Sequence, residues 1–188
     1  MQLEKLKEKI GLILDVTLER AKINRAQIPY SKVDAFPNAI ILLGPSFEVA
    51  ATPVTWRNEA EKYARMRVVS QTAKETLSMA VILVTDTRFT EADKVAPLMG
   101  LPKLDDVGLE KWSELYKQEM HKRFKGYAGN MPAEWYSEAI MVVAKGPGIG
   151  IITRSAEYEK GENDSIKWVT RHTSLQAQHF NLLPDWWC

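Results

Sequence analysis

Leu3, Leu6, Ile10, Ile13 and Leu14 recur at steps of three and four, which predicts an amphipathic helix over residues 2–24. Gly11 weakens that helix a little. Charged residues fill its other side and give a mildly basic, solvated face. The period then changes. NAIILLG, residues 38–44, predicts a buried strand, and GPSF supplies a turn. Residues 47–54 return as the second strand of a hairpin, with Pro53 suited to its edge or end. Asn58 and Glu61 have capping-box spacing, so a helix is expected from Asn58 to Leu77 with Ala60, Tyr63, Ala64 and Met66 inward.

MAVILVTD, residues 79–86, is almost wholly apolar and predicts a central strand. Residues 87–106 hold Pro97 and Pro102 among acidic side chains and read as irregular. Leu109, Trp112, Tyr116, Met120 and Phe124 mark a helix over 108–125, with Gly126 placed to end it. Pro132 opens a short helix through Tyr136. Residues 139–144, 150–158 and 165–171 then read as three strands, the last two joined by the turn GEND. A last helix is expected over 175–183.

Together these elements predict one α+β domain over residues 1–188. It has two or three layers, a mixed and mostly antiparallel sheet of about six strands, packed helices and a C-terminal three-stranded meander. Composition supports a packed core: 45% of the 188 residues are apolar and 26% charged. The net charge of +1 gives no overall pull toward nucleic acid or an anionic membrane. Cys188 is the single cysteine, which excludes an internal disulfide and points to a reducing, cytoplasmic setting. The charged opening MQLEKLKEKIG lacks the apolar core of a signal peptide, and no 18-residue apolar stretch predicts a membrane span.

AKGPGIGIITR, residues 144–154, resembles a phosphate-binding loop at first glance. Such a loop leads into a helix whose amide groups and dipole hold the phosphates. Here the β-rich IIT follows, and no Gly-Lys-Ser/Thr is present. Pro147 and Gly148 instead suit the middle of a type II turn between antiparallel strands. No cofactor is therefore expected at this loop.

Asp86 and Arg88 follow the central strand, where ligands of open sheets often bind, and form the best-placed catalytic pair. The competing reading makes Asp86 a turn cap and Arg88 a solvated side chain. His121, His172 and His179 with Cys188 do not make a credible zinc set, so no metal is expected. Glu134, Glu138 and Asp86 would form a carboxylate cluster only if the fold gathered them. Lys122, Arg123, Lys125 and Tyr127 mix basic and aromatic character, as a nucleic-acid contact requires. The same cations suit a helix C-terminus. Trp186 and Trp187 are the best candidates for contact with a protein partner, a second copy or the domain itself. The favoured expectation is a non-enzymatic binding or accessory protein. The alternatives are a small-ligand enzyme using Asp86 and Arg88, and a weak nucleic-acid binder.

Overall fold

The computed structural model describes residues 3–55, 59–89, 92–124 and 137–169. The chain opens with helix α1 (Leu3–Ala26), hairpin strands β1 (Asn38–Leu43) and β2 (Val49–Val54), helix α2 (Glu59–Glu75) and strand β3 (Ala80–Phe89). Helices α3 (Ala92–Met99), α4 (Leu104–Val107) and α5 (Leu109–Phe124) follow. Strands β4 (Ser137–Gly146), β5 (Gly150–Lys160) and β6 (Ile166–Val169) close the described chain. The strands form one antiparallel sheet in the order β2-β1-β3-β4-β5-β6, and β4, β5 and β6 are the expected meander. The class is thus α+β. Contacts divide the chain into two compact units, residues 1–87 with 139–188, and residues 88–138.

In the first unit α1 lays Ile10, Leu14, Leu18 and Ala21 against a sheet face built from Leu43, Ile82, Val84, Ile140, Val142 and Ala144. Successive strand residues point to opposite faces, and Val81, Leu83, Met141 and Val143 on the other face are buried as well. That double burial explains why β3 and β4 read as continuous apolar runs instead of alternating ones. Pro53 lies in β2, an edge strand, where its missing amide is tolerated. In α2 the inward residues are Met66, Ser70 and Ala73, a step of four and then three. Ala64, expected inward, is exposed. A Cβ at Gly11 would stand 3.3 Å from Nη2 of Arg154, a close approach to the end of a flexible side chain. Arg154 crosses the helix at this point to pair with Asp15 at 2.6 Å.

The second unit overturns the irregular reading of residues 87–106. β3 continues to Phe89, and α3 and α4 occupy much of the remainder. Proline was the misleading signal. Pro97 sits inside α3, where it cannot donate to the carbonyl four residues back, but burial of Val95, Ala96 and Met99 against Trp112 and Met120 holds the helix. Trp112 donates to the Pro102 carbonyl at 3.0 Å and stacks on Tyr116 with ring centroids 5.2 Å apart. Gly126 and the short helix expected at 132–136 lie outside the described residues, as does the helix expected at 175–183.

The glycine loop is a strand-to-strand turn. Ile149 N–H donates to the Gly146 carbonyl at 3.3 Å, and Gly148 has φ +71°, as a type II turn requires at its third position. β5 follows directly, not a helix.

Candidate functional site

α1 carries its buried stripe to an unexpected end. After Ile10, Leu14, Leu18 and Ala21, the next position on that face is Arg25, which is fully buried. Two partners make this tolerable. Asp86 projects from β3, with its side chain 3% exposed, and accepts from Arg25 Nε at 2.7 Å. Tyr158 projects from β5 and donates its hydroxyl to Asp86, at 2.6 Å from Oδ1 and 2.8 Å from Oδ2. The same hydroxyl oxygen stands 3.2 Å from Arg25 Nε. Asn38, at the start of β1, accepts from the Asp86 amide at 3.3 Å and ties the aspartate to a third strand.

The other side of the guanidinium faces backbone. Nη1 donates to the Ile28 carbonyl at 2.8 Å, and Nη2 lies 3.4 Å from the Tyr30 carbonyl. Both carbonyls belong to the connector after α1, which the guanidinium ties back to the helix end. Aromatic rings enclose the group. Tyr158 meets Tyr30 and Trp168 edge to face at 6.3 and 5.7 Å. Arg25 also lies over the Tyr158 ring, 4.8 Å from its centroid. Burial by itself would lower the guanidinium pKa. The hydrogen bond to Tyr158 and the nearby charge of Asp86 outweigh it and hold Arg25 above its ordinary value, so it stays charged.

Beside this network the connector is latched to the β5–β6 turn. Ser31 gives its hydroxyl and amide hydrogens to Asp164, at 2.6 and 3.2 Å. The Ser31 hydrogen bond is the main cause holding the Asp164 carboxylate below its usual range.

The sequence-based candidates separate in space. Asp86 lies within β3, not beyond its end, and so does the backbone of Arg88; the Arg88 side chain lies outside the described residues. Asp86 touches Tyr158, which is eight residues along β5 from Gly150 and hence about 27 Å from the glycine turn. Asp86 and Gly146–Gly150 therefore do not converge. Glu138 is buried in β4, while Glu134, His172 and His179 lie outside the described residues. His121 is exposed on α5. Among the described residues no three His, Cys, Asp or Glu side chains gather as a metal ion would require.

Lys122 and Arg123 both pair with Glu119, at 3.4 and 3.0 Å. Arg123 also donates to the carbonyls of Leu98 and Met99, at 3.1 and 2.9 Å. The remaining ends of α3 close through Gly100, φ +69°, with Leu101 N–H on the Ala96 carbonyl at 2.8 Å. Lys125, Tyr127, Trp186 and Trp187 lie outside the described residues.

Arg25 and Tyr158 escaped the sequence reading. The available signal was spacing: Arg25 continues the α1 stripe four residues after Ala21, and an arginine at a core position demands a buried acid. Among the described residues no helix is long and apolar enough to cross a membrane. No family model, curated protein or solved structure matches this chain.

Proposed function

We propose that this chain is a cytoplasmic binding or accessory protein without catalytic activity of its own. One observation carries the reading: Asp86, the best catalytic candidate in the sequence, spends both carboxylate oxygens on Tyr158 and Arg25 under nearly complete burial. A general base or nucleophile needs access to substrate, and this carboxylate faces its own fold. The arrangement serves to join α1, β1, β3 and β5. The lone cysteine supports the compartment.

The pairing of Lys122 and Arg123 with Glu119 favours a helix-end role for these cations over phosphate contact. The test replaces the polar network by apolar groups of similar size, Arg25→Met with Asp86→Leu and Tyr158→Phe. The variant is expected to fold and to retain any specific partner recovered with the wild-type chain. If the wild type turns over a small molecule and the folded variant does not, the enzyme reading replaces this one.

A further inference from the structure

We draw no further inference here: the strongest candidate, the outer edge of β2, where Val49 to Pro53 are exposed at the end of the sheet, carries nothing because nothing among the described residues shows what covers it.

Discussion

Arg25 lies at the buried end of α1 and Arg123 at the exposed end of α5, and both guanidinium groups donate to backbone carbonyls, Arg25 to Ile28 in the connector after α1 and Arg123 to Met99 at the end of α3. Their surroundings differ. Arg25 is sealed among aromatic rings with Asp86 and Tyr158, whereas the Arg123 side chain is 39% exposed and its acid, Glu119, lies one turn back on the same helix. A planar fork with five donors suits both tasks. Only at Arg25 does removal of a partner strand a charge away from water. The same chemistry therefore fastens four elements of one unit firmly and one helix end of the other lightly.

The sharpest way to break this comparison is Asp86→Ala. It leaves Arg25 charged and buried, and a loss of about 3 to 5 kcal/mol is expected in denaturant unfolding. The apolar triple variant described above should lose far less, because it removes both the charges and their desolvation. If Asp86→Ala and the triple variant fall together, the network contributes through attraction and not through mutual compensation.

Tyr158→Phe keeps the ring packing and deletes the hydroxyl shared by Asp86 and Arg25. A loss of about 1 to 3 kcal/mol is expected. Arg123→Ala should cost about 0.5 to 1.5 kcal/mol, since water replaces it on the Leu98 and Met99 carbonyls. Chemical denaturation of the two variants side by side checks the order; an equal or larger loss at Arg123 would erase the distinction.

Acid titration gives the smallest and most local effect. The Arg123 hydrogen bond, against a weaker opposing effect of burial, holds Glu119 below its ordinary carboxylate range, and Ser31 does the same for Asp164. A carboxylate whose pKa falls on folding adds stability that is fully present above its unfolded value, near pH 4. That stability disappears as pH drops through the lower folded value. Glu119→Gln and Ser31→Ala should each flatten the acid limb of stability against pH below about 4 and leave the neutral region nearly parallel. A slope unchanged in both variants would show that these carboxylates behave alike in folded and unfolded chains.

Much of the frame was legible locally. The α1 stripe, the β1–β2 hairpin, the β3 core run, the α5 stripe and the Gly146–Ile149 turn each write their conformation into a short window of sequence. Residues 92–99 did not, because Pro97 and the acidic neighbours outweighed Val95, Ala96 and Met99 in any local reading. Their helix depends on Trp112 and Met120, which are distant in sequence. The site was less legible than the frame. Asp86 stood out as polar residues after an apolar run do, but its meaning depended on Arg25, 61 residues earlier, and Tyr158, 72 residues later.

By itself the sequence determined periodicity, turn chemistry, composition and the α+β class, because these follow from contacts between near neighbours along the chain. Tertiary structure alone decided that Arg25, Asp86 and Tyr158 satisfy one another and that the glycine turn stands at the far end of the sheet. Strand order and register set those distances, and burial decides whether a carboxylate meets substrate or its own fold.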